Sequence, residues 1–211
     1  MNEGICIIDY GIGSFFSLKN SLDNCKCKSF VCDDPSELSN FKYAILPGVG
    51  NYKSASKLLL NFGWDKSIKN FLSHKDKKIM GICLGFQILF ENSEESEISF
   101  EGLGLLKGTI NKLIQTNSHR IPHVGWNELK VLKSNHFLEK RFNDLDLYFC
   151  HSYALKFQKD FTTEQFDEYA VTEHGSNKFI STFRSKNIYG CQFHPEKSSF
   201  GGVAFWKNFF K

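Results

Sequence analysis

Cys83 is the residue of this sequence best placed to act as a nucleophile. It stands in Gly81-Ile82-Cys83-Leu84-Gly85, between the apolar run Lys78–Ile82 and a helical pattern carrying Phe86, Leu89 and Phe90. A G-x-C-x-G segment between strand and helix has the form of a nucleophile elbow, with Cys in place of Ser. Such a turn is tight and strained, and side chains at the flanking positions would collide with neighbouring backbone. A helix starting just after Cys83 points the positive end of its dipole at the sulfur, which favours the thiolate. The same five residues also suit a buried structural cysteine at a strand end, so the elbow needs partners.

Those partners are in Gly190-Cys191-Gln192-Phe193-His194-Pro195-Glu196. His194 and Glu196 are two apart, and in extended backbone they point to one side. Glu196 can then accept from one imidazole nitrogen, which leaves the other free to take the proton of Cys83. A zinc site is the competing reading of H-x-E, but no second His or Cys pair stands at ligand spacing. Cys25, Cys27 and Cys32 likewise lack a matching second pair, and Cys191 reads as core. A third feature is Pro47-Gly48-Val49-Gly50. It is either an ordinary Pro-Gly turn or a loop whose N–H groups, with that of Leu84, face a developing oxyanion.

The elements that must hold these groups follow from the hydrophobic pattern. Ile5–Ile8, Lys28–Cys32, Tyr43–Leu46 and Lys78–Ile82 read as strands, and helices are predicted over Phe15–Asn24, Tyr52–Phe62, Trp64–His74 and Leu84–Asn92. Alternating strand and helix predicts an α/β fold with a parallel sheet covered on both faces. The second half differs. Thr109–Ile114, Leu147–Cys150, Tyr169–Thr172, Phe179–Phe183 and Ile188–Gln192 are short strand-like runs, which predicts an antiparallel or mixed extension. Gly202–Phe210 reads as a closing helix.

The 211 residues are most simply one domain, 1–211. The net charge of +3 comes from scattered Lys, so nucleic acid is not an expected partner. No apolar stretch is long enough to span a membrane. The start Met1-Asn2-Glu3 lacks the features of a signal peptide. Cytoplasm is the expected location, and seven cysteines there do not suggest a disulfide framework. His74, His119, His136 and His174 lie in polar stretches and are expected to be exposed, whereas His123 can be structural.

Taken together, Pro47–Gly50, Gly81-Ile82-Cys83-Leu84-Gly85-Phe86-Gln87 and Gln192-Phe193-His194-Pro195-Glu196-Lys197-Ser198 resemble the class I glutamine amidotransferase family. Ile8–Gly11, Gly102–Leu105, Ile121-Pro122-His123-Val124-Gly125-Trp126-Asn127 and Tyr148-Phe149-Cys150-His151-Ser152-Tyr153 narrow the resemblance to the glutaminase subunits of imidazole glycerol phosphate synthase. It spans essentially the whole chain. It implies the three-layer class I glutamine amidotransferase fold, and a Cys83-His194-Glu196 triad that splits L-glutamine through a thioester. No cofactor or metal is implied. Gly48, Val49, Gly50, Leu84, Gln87, His151, Ser152 and Tyr153 would line the oxyanion and substrate site. Ammonia would pass to a (β/α)8-barrel cyclase subunit in a heterodimer, which makes imidazole glycerol phosphate and AICAR in histidine biosynthesis. Ser14, Trp126, Asn127, Tyr148 and Lys197 would lie near that partner, although Trp126 and Tyr148 also suit core packing and Lys197 an open surface. Where the family usually reads Gly-Asn-Leu, this sequence has Gly13-Ser14-Phe15. Paralogues with the same motifs supply ammonia to amidinate a sugar in surface-polysaccharide synthesis. An idle binding module of the same fold, and a peptidase or γ-glutamyl hydrolase, are the further alternatives.

Overall fold

The computed structural model describes residues 2–95, 101–159 and 164–211. Strands β1 (Asn2–Ile8), β2 (Ser29–Cys32), β3 (Phe41–Leu46) and β4 (Lys78–Ile82) alternate with helices α1 (Phe15–Asn24), α2 (Tyr52–Asn61) and α3 (Trp64–Leu72). A single-turn helix α4 (Leu84–Ile88) follows, then β5 (Phe90–Ser93), β6 (Leu106–Lys112), β7 (His123–Glu128) and β8 (Lys130–Lys133). The chain closes with β9 (Asp146–His151), β10 (Tyr153–Leu155), β11 (Glu168–His174), β12 (Asn177–Ser185), β13 (Ile188–Cys191) and helix α5 (Ser199–Phe209).

Eight strands form the main sheet in the order β2-β1-β3-β4-β13-β12-β11-β8. From β2 to β13 every pair is parallel, and from β13 to β8 every pair is antiparallel. The expected parallel sheet with an antiparallel extension is thus the observed one, except that the runs Thr109–Ile114 and Leu147–Cys150 fall in separate small sheets, with β6 and β9, and not in the extension. Alternation along β1 shows why it has three layers. Cys6 and Ile8 face one core with Tyr52, Leu59 and Trp64 of α2 and α3. Ile5 and Ile7 face the other, with Leu18 and Leu22 of α1 and Phe205, Trp206 and Phe209 of α5. A sheet buried on both faces needs such near-continuous apolar strands.

Two smaller sheets, β10-β6-β5 and β7-β9, stand beside the main one. They carry the main correction to the predicted elements. The helix expected over Leu84–Asn92 stops at Ile88. The carbonyls of Ile88 and Leu89 accept from the N–H groups of Leu103, Leu105 and Leu106, so the helical ladder cannot continue and the chain enters β5. Strands β7 and β8 were not predicted. Their alternation is broken by Gly125 and by the Lys-rich edge Lys130–Lys133.

Candidate active site

The elbow forms where β4 ends. Cys83 has φ 52° and ψ −104°, a strained backbone for a residue with a side chain. Its neighbours leave no alternative. A Cβ on Gly85 would run into the carbonyl of Leu46 at the end of β3, and one on Gly81 would sit 2.7 Å from the carbonyl oxygen of Gly85. The N–H of Cys83 donates to the carbonyl of Cys191 at 2.8 Å, tying the elbow to the neighbouring strand β13. The carboxyl ends of β3, β4 and β13 therefore deliver Pro47–Gly50, Cys83 and His194 to one edge of the sheet, as open parallel sheets do.

His194 is buried, and its Nδ1 lies 2.7 Å from Oε1 of Glu196. The reason is not the expected extended backbone. Pro195–Lys197 is one turn of 3-10 helix that folds Glu196 back beneath the ring. The turn is clamped: His194 N–H donates to the Tyr148 carbonyl at 2.8 Å, and Ser198 Oγ donates to the His194 carbonyl at 2.6 Å. With Nδ1 committed to Glu196, Nε2 is the nitrogen that meets Cys83. Burial alone would lower the His194 pKa, but hydrogen bonds to Cys83 and Glu196, and their charges, outweigh it and push it up to about 10. The imidazolium stands as a positive partner beside the sulfur. The five-residue α4 adds less than a long helix would.

A cavity of about 350 Å³ opens above Cys83. It is lined by Val49, Gly50, Leu84, Gln87, His151, Ser152, Tyr153, His194 and Lys197, together with Glu95, Pro122 and Cys150. Every expected substrate-site residue except Gly48 is there. Gly48 lies behind, with Ser14, Glu196 and Lys197, around a small cavity of about 40 Å³. Trp126 and Tyr148 form an edge contact at 6.0 Å, and the Lys197 ammonium stands 5.8 Å from the Tyr148 ring. Trp126 is half exposed. Asn127 faces the other way and donates toward Nε2 of His123 at 3.2 Å.

Two residues of this region, Gln192 and Tyr10, were not singled out from the sequence, and a third, His123, was expected only as structural. Gln192 takes Gln87 Nε2–H on its Oε1 at 3.0 Å and directs its own Nε2 at the Cys83 sulfur, 3.7 Å away. Tyr10 is buried and donates to the Pro47 carbonyl at 2.9 Å, holding the start of the glycine loop. His123, left as structural, bonds His151 at 3.1 Å. Gln192 and Tyr10 sat in the quoted motif blocks, so position was available as a signal; their partners were not. Cys191 is core, as expected, and His74 and His136 are exposed. His119 and His174 are only half exposed, because their rings meet edge to face at 5.1 Å. Among the described residues no group of three or more His, Cys, Asp or Glu is arranged to hold a metal. No helix among them is long and apolar enough to cross a membrane.

A thiol, an imidazole and a carboxylate in line at the end of a parallel sheet are shared by several hydrolase classes, and comparison resolves which. The chain belongs to the class I glutamine amidotransferase family, whose model matches residues 6–211. It is a glutamine-hydrolysing enzyme of that family. Among its relatives is the imidazole glycerol phosphate synthase subunit HisH of Caldanaerobacter subterraneus subsp. tengcongensis, 41% identical over 206 residues, covering 97% of this chain and 96% of that one. The imidazole glycerol phosphate synthase subunit HisH 1 of Campylobacter jejuni subsp. jejuni is 34% identical over 205 residues, with 97% and 98% covered. The solved structure of PurLQS from Thermotoga maritima shares the fold, with TM-score 0.70 at 19% identity over 100% of this chain and 98% of that one.

Proposed function

We propose that residues 1–211 act as one cytoplasmic glutaminase unit and pass ammonia to a (β/α)8-barrel synthase subunit, in the histidine-pathway step that yields imidazole glycerol phosphate and AICAR. The observation that carries the chemistry is the Nδ1–Oε1 contact of 2.7 Å, which leaves the other imidazole nitrogen to Cys83 at the floor of the cavity. Full-length similarity to subunits named HisH supports the pathway.

The thiolate of Cys83 attacks the side-chain amide carbon of glutamine, with Gln192 Nε2–H aimed at the sulfur. Charge then moves to the amide oxygen, which the N–H groups of Val49, Gly50 or Leu84 at the cavity wall can meet. As the C–N bond breaks, Nε2 of His194 gives its proton to the leaving ammonia and a thioester forms. Water, deprotonated by the same nitrogen, hydrolyses the thioester to glutamate. Both amide hydrogens of Gln87 are committed, to the Tyr153 carbonyl at 2.9 Å and to Gln192. Its Oε1 is left to accept from the α-ammonium of the substrate.

Ammonia freed in water at neutral pH becomes ammonium and loses its nucleophilicity, so transfer needs a partner seated over the site. Trp126, Tyr148, Lys197 and Ser14 supply the face for it. Ser14 stands where the family usually has Asn, at a position expected near the partner, which keeps a second reading in place: a barrel from the sugar-amidinating pathway. Replacing Cys83 by Ala tests the core. Glutamine-dependent synthesis by the complex is expected to vanish, while synthesis from added ammonium salts survives. Loss of both refutes the division of labour, and whichever barrel subunit raises glutamine turnover identifies the pathway.

A further inference from the structure

The ribbon β7–β9 has two unlike faces. Val124 and Trp126 point outward and are 55% and 52% exposed. Asn127, His123 and His151 point inward, where both histidines are buried. His123 and His151 are direct partners in the ribbon register, and their rings are joined by the 3.1 Å contact between Nδ1 of His123 and Nε2 of His151.

The direction of every hydrogen bond in this group can be assigned from its two ends. At the pocket end, Nδ1 of His151 lies 2.9 Å from the carbonyl oxygen of Tyr153. A carbonyl only accepts, so this nitrogen carries a hydrogen. At the other end, Oδ1 of Asn127 accepts from the Glu128 N–H at 2.8 Å, and Nδ2 donates to the Glu173 carbonyl at 3.1 Å. The Nδ2 group is thus the one facing Nε2 of His123, and that nitrogen accepts. Two neutral rings, each protonated on Nδ1, satisfy the whole chain. A further proton on either ring would set two donors face to face. Burial and the neighbouring rings also hold both imidazoles neutral, pushing His151 down to about 3 and His123 to about 4.

The chain ends on the Tyr153 carbonyl, which also accepts from Gln87 Nε2. We propose that Asn127, His123 and His151 form a one-way hydrogen-bond relay that fixes the pose of Gln87, and so sets glutamine affinity from a strand whose other face is exposed. The proposal rests on the glutaminase reading for its effect on affinity, but not for its proton arrangement. All three are positioning residues: they act through Tyr153 and Gln87, and Cys83 keeps its own partners.

Two measurements test it. Nitrogen-15 NMR of the histidine rings in the intact chain at pH 7 is expected to show His123 and His151 protonated on Nδ1 and bare at Nε2. A hydrogen on Nε2 of either ring overturns the relay, whatever the activity. In the complex with its barrel subunit, His123→Phe keeps an aromatic ring but removes the donor. It is expected to raise KM for glutamine about tenfold while kcat moves less than about threefold, with the rate of Cys83 alkylation unchanged. His123→Asn, which keeps a donor at the δ position, is expected to recover most of the loss. An unchanged KM in His123→Phe refutes the relay. An intact chain and barrel with no glutaminase activity refute the functional reading instead, and the NMR result then stands alone.

Discussion

Acidification should destabilise this protein through two histidines before its carboxylates begin to titrate. Burial first, then the charge of His123, hold His151 near a pKa of about 3; burial first, then His174, hold His123 at about 4. In the unfolded chain both return to about 6.5. From pH 7 to pH 5 the unfolded state therefore binds protons that the folded state refuses, and each ring costs about 1.9 kcal/mol of stability. His194 works the other way. Its pKa is raised to about 10, so its contribution is fully present below about 6.5 and is lost as pH rises toward 10; acidification to pH 5 restores about 0.8 kcal/mol. The net loss is about 3 kcal/mol, which in urea unfolding moves the midpoint down by about 1–1.5 M. Ordinary carboxylates titrate at about 3.9–4.3, mostly below this window. Urea titrations followed by tryptophan fluorescence at pH 7 and pH 5 measure the difference. A variant with Phe at both 123 and 151 should lose most of the pH dependence. Equal stability of the unaltered protein at the two pH values, or an unchanged slope in the variant, would show that the folded protein does not keep these rings neutral.

Glu168 is fully buried and accepts from the N–H groups of Asn135, Phe137 and Leu138 and from Arg184 at 3.0 Å. Glu168→Ala is expected to cost about 3–5 kcal/mol in urea unfolding, since it strands a guanidinium and three donors; a loss below 1 kcal/mol would contradict that. Peptide mapping after reaction with a glutamine-like electrophile is expected to find Cys83 modified ahead of Cys150, although Cys150 is the more exposed thiol of the same cavity. The reverse order would mean that access, not activation beside His194, governs the chemistry.

What could be read from the sequence followed periodicity and local chemistry. The parallel strands announced themselves because burial on both faces makes them continuous apolar runs, as at Ile5–Ile8, and their α1 and α3 helices carry clear apolar stripes. Strand β9 showed as the apolar run Leu147–Cys150, with Leu147 and Phe149 buried, but β7 did not, because its inward face carries His123, Gly125 and Asn127 and its outward face is exposed. The roles of His123 and Gln192 were hidden for another reason. Each makes its defining contact with a residue 28 or 109 positions away, and spacing along the chain carries no trace of that.

The early stop of α4 alters the account of the nucleophile more than any other departure. The dipole of even a full helix contributes only about 0.3–1 kcal/mol at its N-terminus, so the group facing the sulfur across the cavity matters more. His194 faces the sulfur, and it is itself held by Glu196 and by the clamp from Ser198 and Tyr148. Tyr148 is also the residue that meets Trp126 and Lys197 on the open face. That face lies on β9, the strand from which His194 hangs by its backbone N–H. Sulfur, imidazole and exposed face are therefore joined through β9: the Cys150 carbonyl lies 3.8 Å from the Cys83 sulfur, and the Tyr148 carbonyl accepts from the His194 N–H.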